Sequence, residues 1–306
     1  MTALQDRPAG STPSRPTVEL PHHRPRGLRI ALHTFLVLVS LIWIFPVAWA
    51  LYNSFRDYSY TSVNGYASFG GFTLNNFTNA WNQGDFTRHF LNSAVITIPA
   101  VVLTLLLSSM VAFVVARFSF KLNLALLGMF TAANLLPPQA LLIPIYRLFR
   151  SVSVPLWFSE SGTLLNSFWG LIVINVAFQT GFCTFVLSNY MKTIPAELYE
   201  AADVDGASVL RQWWQLTLPL CRPPLAALAT LQVTWIYNEF FWATVLLQSG
   251  DKFPITSSLN NLKGQFFTDY NLLSAGSVLV ALPTLIVFFA LQKQFVSGLT
   301  LGATKG

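Results

Sequence analysis

The sequence has very little charge for its length. Of its 306 residues only 10% are Asp, Glu, Lys or Arg, whereas soluble domains average about a quarter. With 53% hydrophobic residues, including 26 Phe and 9 Trp, this composition indicates that lipid is the main solvent of the chain. The net charge of +6 is therefore interpreted as a consequence of membrane topology, and no binding of nucleic acid is expected.

Cysteine and nucleotide-binding motifs are scarce or missing as well. Cys183 and Cys221 lie near the ends of different apolar segments and suggest neither a disulfide framework nor a metal site. The sequence has no G-x-x-x-x-G-K-[ST] phosphate loop, and residues 302–306 resemble one only superficially. With no nucleophile and base pattern either, we expect no cofactor, no catalytic residue and no ATP hydrolysis by this chain itself.

Apolar runs are what the sequence has in abundance. Six windows of about 20 residues are long enough to cross a bilayer as helices, which predicts an all-α polytopic membrane protein. The windows are Leu28–Tyr52, Leu91–Phe118, Leu122–Tyr146, Phe168–Leu187, Leu220–Leu247 and Ala275–Leu291. The first is longer than the apolar core of a signal peptide and is interpreted as an uncleaved span. We predict a disordered tail over residues 1–27, a membrane domain over 28–292 and a second tail over 293–306.

The positions of Lys and Arg predict the orientation. Twelve of the 18 Lys and Arg residues fall in the two termini and the gaps after the second and fourth windows. Since Lys and Arg are enriched in cytoplasmic loops, that side should be the cytoplasm, and both termini should lie there. The twelve residues are Arg7, Arg15, Arg24, Arg26, Arg29, Arg117, Lys121, Lys192, Arg211, Arg222, Lys293 and Lys305.

The loop of about residues 189–219 is the longest polar gap on that side, and it contains four carboxylates. Pro195 suits the first position of a helix, where its missing N–H costs nothing. Glu197 then falls in the first turn, where the helix dipole favours a carboxylate. Glu197, Glu200 and Asp203 recur every three residues and predict one acidic stripe on this helix.

The rest of the loop predicts a turn and a second helix. Ala201 and Ala202 line a low face that would let another backbone approach, and Asp205-Gly206 is a helix-stop signal. Ser208 can cap the next helix, on which Leu210, Trp213, Trp214 and Leu218 are expected to present bulky apolar surface. An amphipathic hairpin lying on lipid headgroups is the alternative. Four carboxylates fit an anionic leaflet poorly, so docking of a partner protein is favoured.

Several motifs resemble one family, the permease subunits of binding-protein-dependent ATP-binding cassette (ABC) importers. Within it they resemble the carbohydrate, maltose-type branch and its MalG-type inner-membrane subunit. The loop has that family's "EAA" signature in Glu200-Ala201-Ala202 and Asp205-Gly206-Ala207. The other matching stretches are Asn53-Ser54-Phe55-Arg56, Asn92-Ser93, Ala116-Arg117-Phe118, Leu136-Pro137-Pro138-Gln139, Asn238-Glu239-Phe240 and Gly298-Leu299-Thr300. The resemblance covers nearly everything from residue 28 onward.

This resemblance implies a coupling role for the loop between the fourth and fifth spans. Its short helices would be seated on a cytoplasmic ATPase, with coupling residues Glu200, Ala201, Ala202, Asp205, Gly206 and Ala207. The C-terminal tail would contact the ATPases through Gly298, Thr300, Gly302 and Lys305. The implied partners are a second permease subunit, two ATPase subunits and an extracytoplasmic solute-binding protein, with membrane lipid around the chain. The implied location is the bacterial inner membrane.

Polar side chains inside the apolar windows are candidates for the translocation path. They are Asn134, Gln139, Gln179, Asn238 and Glu239. Glu239 is the one carboxylate well inside a window, where exposure to lipid would cost roughly 2.5–3.5 kcal/mol. It is interpreted either as a residue of the path or interface, or as a structural carboxylate that holds helices together.

The expected function is therefore that of a carbohydrate importer's permease subunit, coupled to a separate ATPase. Two departures from the family pattern, at Ile236-Tyr237 and at Gln179 to Phe182, affect the path and not the loop. An importer of the same class for a glycerol phosphodiester, a polyamine or another polar solute is an alternative. An ion-coupled secondary transporter is less favoured, because such a protein would need several ionisable groups near the midplane.

Overall fold

The computed structural model describes residues 26–118, 121–264 and 267–300, without the side chains of Arg26, Leu124, Thr131 and residues 293–300. Within these ranges the regular elements are helices, and the β-type pairings there are two isolated bridges, Arg56–Phe72 and Ser153–Thr163. The predicted all-α class is confirmed. The chain divides into two compact units, Met1–Trp49 and Ala50–Gly306.

The first half of the described chain contains seven α-helices and one short 3-10 helix. The α-helices are α1 (Arg26–Ser54), α2 (Tyr58–Asn64), α3 (Asn75–Gln83), α4 (Phe86–Arg117), α5 (Asn123–Asn134), α6 (Leu142–Ser151) and α7 (Phe168–Met191). The 3-10 helix, Pro138–Leu141, lies between α5 and α6.

The second half is more broken. Its α-helices are α8 (Ala196–Val204), α9 (Val209–Arg211), α10 (Leu218–Leu220), α11 (Arg222–Tyr237), α12 (Phe241–Leu246), α13 (Ile255–Ser258) and α14 (Tyr270–Thr300). A π-helix, Gln212–Thr217, joins α9 to α10, and 3-10 turns cover Gly250–Lys252 and Leu259–Leu262.

Four continuous helices in the described residues are long and apolar enough to span a membrane. They are Gly27–Ser54, Phe86–Arg117, Phe168–Met191 and Tyr270–Gln292. They coincide with the first, second, fourth and sixth predicted windows. The last one continues as helix to Thr300.

The third predicted window is a bent pair of helices instead of one straight span. Segments Ala125–Asn134 and Pro138–Ser151 meet at 97°. Pro137 and Pro138 account for the break, because proline has no N–H to donate and disfavours helical geometry in the residue before it. Pro137 has an extended backbone, with ψ of 130°.

The fifth predicted window, Leu220–Leu247, is not one continuous helix either. The structure divides it into α10, α11 and α12. Asn238 ends α11, and its Nδ2 donates to the Thr234 carbonyl oxygen at 2.8 Å. The Glu239 carboxylate then accepts the backbone N–H groups of Trp242 and Ala243 at 2.6 and 3.0 Å. Side chains that bond the backbone in this way compete with a continuous helix.

Although broken, α11 and α12 together run alongside α7. Leu228 of α11 packs in one core cluster with Leu187 near the end of α7. Leu246 of α12 packs in another cluster with Leu171 near the start of α7. The Asn166 N–H, just before α7, donates to the Leu246 carbonyl oxygen at 2.8 Å. The two helices therefore cover the length of α7 in the opposite direction.

Helix α4 packs most extensively against α7, through small and hydroxylated residues that let two helices approach closely. The Ser108 hydroxyl donates to the Thr104 carbonyl oxygen on its own helix at 2.5 Å. Hydroxyl groups satisfied in this way can be buried between apolar helices without a separate partner. The buried serines on the two helices that bond their own helix in this way are Ser108, Ser109 and Ser188.

The segment after α1 is organised around Arg56, which is fully buried. Its guanidinium donates to the carbonyl oxygens of Tyr66 and Gly70 at 2.6 and 3.0 Å and to Ser68 Oγ at 2.6 Å. The guanidinium carbon also lies 5.1 Å from the Tyr52 ring centroid. Carbonyl dipoles and aromatic rings thus surround the charge, in the fork geometry that only Arg supplies.

We predict that Arg56→Lys lowers the free energy of unfolding by about 2–3 kcal/mol, because an ammonium cannot reach the same acceptors and leaves buried carbonyls unpaired. The midpoint of thermal unfolding of the detergent-purified protein measures this. Arg88→Lys is the matched control, since the Arg88 side chain is 57% exposed and forms an ion pair with Asp85 at 3.4 Å. Equal midpoints for the two variants would contradict the role given to Arg56.

Candidate functional site

Helix α8 begins one residue later than predicted. Pro195 is the N-cap, with extended ψ of 135°, and the first helical residue is Ala196. Glu197 lies in the first turn, as predicted, where its carboxylate interacts favourably with the helix dipole. The Pro195 side chain provides no hydrogen bond to the free N–H groups of this end.

The end of α8 confirms the predicted helix stop at Gly206. This residue has φ of 70°, a left-handed conformation that glycine adopts without strain. The Ala207 N–H donates to the Ala202 carbonyl oxygen at 2.9 Å, and the Gly206 N–H donates to that of Asp203 at 3.0 Å. These two bonds form a Schellman motif. The chain therefore reverses sharply after α8.

The second helix of the loop starts as predicted and then changes type. Ser208 caps it, with its Oγ accepting the Arg211 N–H at 3.4 Å. From Gln212 the helix widens into a π-helix, a form often found at functional sites. Trp213 is buried while Trp214 is 59% exposed. The prediction that both tryptophans present apolar surface is wrong for Trp213, because it packs into the core beneath the loop.

Asp203 attaches α8 to the end of α4. Its Oδ2 accepts a hydrogen bond from Arg117 Nη2 at 2.8 Å, and its Oδ1 accepts one from Gln212 Nε2 at 2.6 Å. Gln212 also donates to the Ala207 carbonyl oxygen at 3.0 Å. We name this set, Arg117, Asp203 and Gln212, the α4–α8 joint.

Tyr199 packs beneath the same joint. The Arg117 guanidinium carbon lies 5.0 Å from the centroid of its ring, a cation–π distance. Its hydroxyl lies 3.1 Å from Thr217 Oγ1, inside the fold. Burial raises the pKa of the Tyr199 hydroxyl, so this group stays neutral at physiological pH. The ring belongs to a core cluster with Phe113 of α4 and Met191 of α7.

The predicted acidic stripe is therefore divided into two parts. The Asp203 carboxylate, although 56% exposed, is bound to Arg117 and Gln212 in the joint. Glu197 and Glu200 are exposed and make no hydrogen bond or ion pair with any residue that the structure describes. Ala201 is exposed beside them, and Ala202 is half-buried. The carboxylates of Glu197 and Glu200 remain free for a partner.

Apolar side chains stand out from the same loop. Val204, at the last turn of α8, is 88% exposed, and Leu210 on α9 is 64% exposed. Exposed apolar residues in a cluster indicate a surface for a partner.

The sequence did not predict Val204, Arg117 and Gln212 as site residues. The periodicity of α8 could have indicated Val204, but the two partners of Asp203 are visible only in three dimensions.

The candidate path residues fall in different surroundings. The Asn134 side chain donates to the Phe130 carbonyl oxygen at 2.8 Å and lies close to Gly181 of α7, where a Cβ would come within 2.7 Å of Asn134 Nδ2. Gln179 is half-buried, and its Oε1 lies 3.4 Å from Gln232 Nε2. The structure does not gather these groups into one site. Three of the candidates are exposed: Asn134, Gln139 and Asn238.

Glu239 has a structural use at the break between α11 and α12. Both of its carboxylate oxygens accept backbone N–H groups, as described above, and its own carbonyl oxygen accepts the Thr256 hydroxyl at 3.1 Å. The predicted contacts of the C-terminal tail fall on residues whose side chains are not described. The side chain of Thr300 and all of Gly302 and Lys305 lie outside the described residues, and Gly298 is described only as α14 backbone.

Comparison with known proteins identifies the family. Residues 105–300 match the binding-protein-dependent transport system inner membrane component. A probable ABC transporter permease from Pyrococcus horikoshii is 32% identical over 265 residues, which cover 85% of this chain and 92% of that protein. The diacetylchitobiose uptake system permease of Streptomyces coelicolor is 31% identical over 273 residues, 88% of this chain and 87% of that protein.

A solved structure shares the fold. It is a chain of a bacterial ABC transporter involved in the import of the acidic polysaccharide alginate, with a TM-score of 0.74 and 21% identity over 90% of this chain and all of that one. The protein belongs to the family of binding-protein-dependent transport system inner membrane components. It is accordingly a multi-pass inner-membrane protein.

We predict that Asp203→Asn loosens the joint, because the charge-assisted bond to Arg117 is lost. For a half-exposed pair the loss is about 1 kcal/mol, so amide hydrogen exchange in residues 196–204 should rise about fivefold. Asp205→Asn is the matched control, because the Asp205 side chain is exposed two residues away. Unchanged exchange in Asp203→Asn, or an equal increase in both variants, would contradict the joint.

Proposed function

We propose that the chain is a permease subunit of an ABC importer that carries carbohydrate. It pairs with a second permease chain, two ATPase subunits and an extracytoplasmic solute-binding protein. The observation that carries this proposal is α8, which presents two free carboxylates and exposed apolar side chains while the joint holds its other face to α4. A helix built in this way suits docking and transmission of force.

The docking surface is made of Glu200 and its neighbours. Glu200 provides a charge for a basic group of the ATPase. The small side chains of Ala201 and Ala202 let the backbone of the ATPase come close. Asp205, Gly206 and Ala207 form the tight reversal that keeps α8 short. The Val204 side chain, 88% exposed, supplies an apolar contact at the tip. Charge and apolar area together give both orientation and affinity at an interface.

Transmission follows from how α8 is attached. When nucleotide binding closes the ATPases, displacement of α8 is passed through Asp203 and Arg117 to the end of α4. Because α4 packs along α7, the displacement spreads into the bundle. The chain has no phosphate loop of its own, so in this scheme ATP is hydrolysed in the partner subunits. The C-terminal residues Gly298, Thr300, Gly302 and Lys305 provide a second contact with them.

We assign six membrane crossings with both termini in the cytoplasm. Four continuous helices support four of them, and the bent pair α5 and α6 supports a fifth. The sixth is α11 with α12, which run the length of α7 in reverse. The excess of Lys and Arg at the termini and around α8 orients the loop toward the cytoplasm.

Carbohydrate is the solute class that the relatives favour. The curated relative from Streptomyces is a diacetylchitobiose permease, and the structural neighbour belongs to an alginate importer. A sugar path requires hydrogen-bonding groups within the membrane, and the exposed amides of Asn134, Gln139 and Asn238 can supply them. Gln179 is a further path candidate. For Glu239, the two backbone bonds support the structural alternative over contact with solute.

The outer loops provide surface for the solute-binding protein. They comprise about residues 53–90, organised by Arg56, and about 248–274. The two are joined through Asn271, whose Nδ2 donates to the Asn53 carbonyl oxygen at 3.0 Å and whose Oδ1 accepts the Thr61 hydroxyl at 2.8 Å. These hydrogen bonds join the two loops into one continuous surface.

We predict that Glu200→Lys uncouples transport without removing the chain from the membrane. Reversing a docking charge should lower solute-stimulated ATPase activity and uptake by about tenfold, or about 1.4 kcal/mol of contact free energy. Both are measured in the complex reconstituted in vesicles with the solute-binding protein. Glu197→Lys is the control, an exposed carboxylate of the same helix outside the family motif, and should reduce activity less. Normal uptake and ATPase activity in Glu200→Lys would refute the proposed coupling role.

A further inference from the structure

A cavity of about 210 Å³ lies where the ends of α4 and α7 meet the start of α8. One wall is apolar, formed by Phe113, Ala116 and Ile194. The rest of the lining consists of two cationic residues, Arg117 and Lys192, together with Met191, Ala196 and Tyr199. The cavity is separate from the exposed face of α8 that carries Glu200, and the docking proposal leaves it unused.

The basic side of this cavity is suited to an anion. Lys192 is exposed and makes no ion pair with any residue in the described ranges. Arg117 is bonded to Asp203 through Nη2, but its buried Nε has no hydrogen-bond partner among the described residues. Ala196, the first residue of α8, also lines the cavity, so the uncapped N–H groups of that helix end add partial positive charge. The α8 carboxylates to be weighed against these cations are that of Asp203, 2.8 Å from Arg117 Nη2, and that of Glu197, one residue after Ala196.

The depth of the cavity in the membrane narrows the choice of anion. Arg117 and Met191 are the last residues of two helices that are apolar and long enough to span the bilayer. We place the cavity on this ground near the level where hydrocarbon gives way to headgroups. An anion with an apolar part fits both walls, whereas a free phosphate would leave the Phe113 side unused. Basic pockets between spanning helices at this level are suited to anionic lipid headgroups.

We propose that this cavity binds an anionic phospholipid of the surrounding leaflet, with its phosphate between Arg117 and Lys192 and its glycerol and upper acyl carbons against Phe113. This rests on the proposed function only in that α4 and α7 cross the membrane. Since Arg117 is also the partner of Asp203, the bound lipid becomes part of the α4–α8 joint. The lipid composition of the leaflet then determines how strongly α8 is attached to α4.

Native mass spectrometry of the delipidated importer complex tests the site. Titration with dioleoylphosphatidylglycerol should show a saturable site that phosphatidylcholine fills only weakly. Lys192→Gln should weaken phosphatidylglycerol binding about fivefold, the value for one cation near the membrane surface, and Lys192→Arg should restore it. Arg222→Gln is the matched control, an exposed cation at the same end of the bundle that does not line the cavity, and should change binding less than about twofold.

Two results would overturn the proposal. One is equal affinity of the wild type and Lys192→Gln for phosphatidylglycerol, since this would separate lipid binding from the cavity. The other is displacement of the lipid by inorganic phosphate at equal concentration, which would show a site for soluble anions. Because binding is measured without transport, normal coupling in Glu200→Lys would leave this result unaffected.

Discussion

The attachment of α8 to the end of α4 is the constraint on which the rest of the site depends. A half-exposed ion pair such as Asp203 with Arg117 contributes up to about 1 kcal/mol, too little to hold a helix by itself. Burial of a side chain the size of Tyr199 contributes about 1.5–3 kcal/mol, and this ring is 5% exposed. Apolar burial thus supplies most of the stability, while the ion pair and the Gln212 hydrogen bond fix the direction in which α8 points.

In the proposed docking, this attachment lets one short helix contact the ATPase on one side and the permease core on the other. On its inner side Tyr199 belongs to a core cluster of the permease, and at its edge Asp203 bonds Arg117 of α4. Its outer side, with Glu200 and Val204, remains exposed. A loop held only at its two ends would move on its own when pushed. Because α8 is also attached through Tyr199 and Asp203, the proposed coupling has a displacement of its outer side move α4 as well.

The sequence predicted much of this, but only where the pattern was local. The glycine at position 206 predicted the end of α8, and Ser208 predicted the start of the next helix, because capping depends on neighbouring residues. Hydropathy predicted six spans, of which four are continuous helices. It missed the breaks near Pro137 and Glu239, because an apolar window does not reveal where proline interrupts a helix or where side chains bond the backbone. The joint could not be predicted, since Arg117 and Asp203 are 86 residues apart.

If the joint transmits force, α4 and α8 move as one body. Spin labels at Val114→Cys on α4 and Val204→Cys on α8 test this directly, because both positions are exposed and the native Cys183 and Cys221 are buried. The distance between the labels is measured by pulsed electron paramagnetic resonance in the importer complex, nucleotide-free and trapped with ATP. The joint predicts the same distance within about 2 Å in both states, whereas a change of about 5 Å, one helical turn, would contradict it.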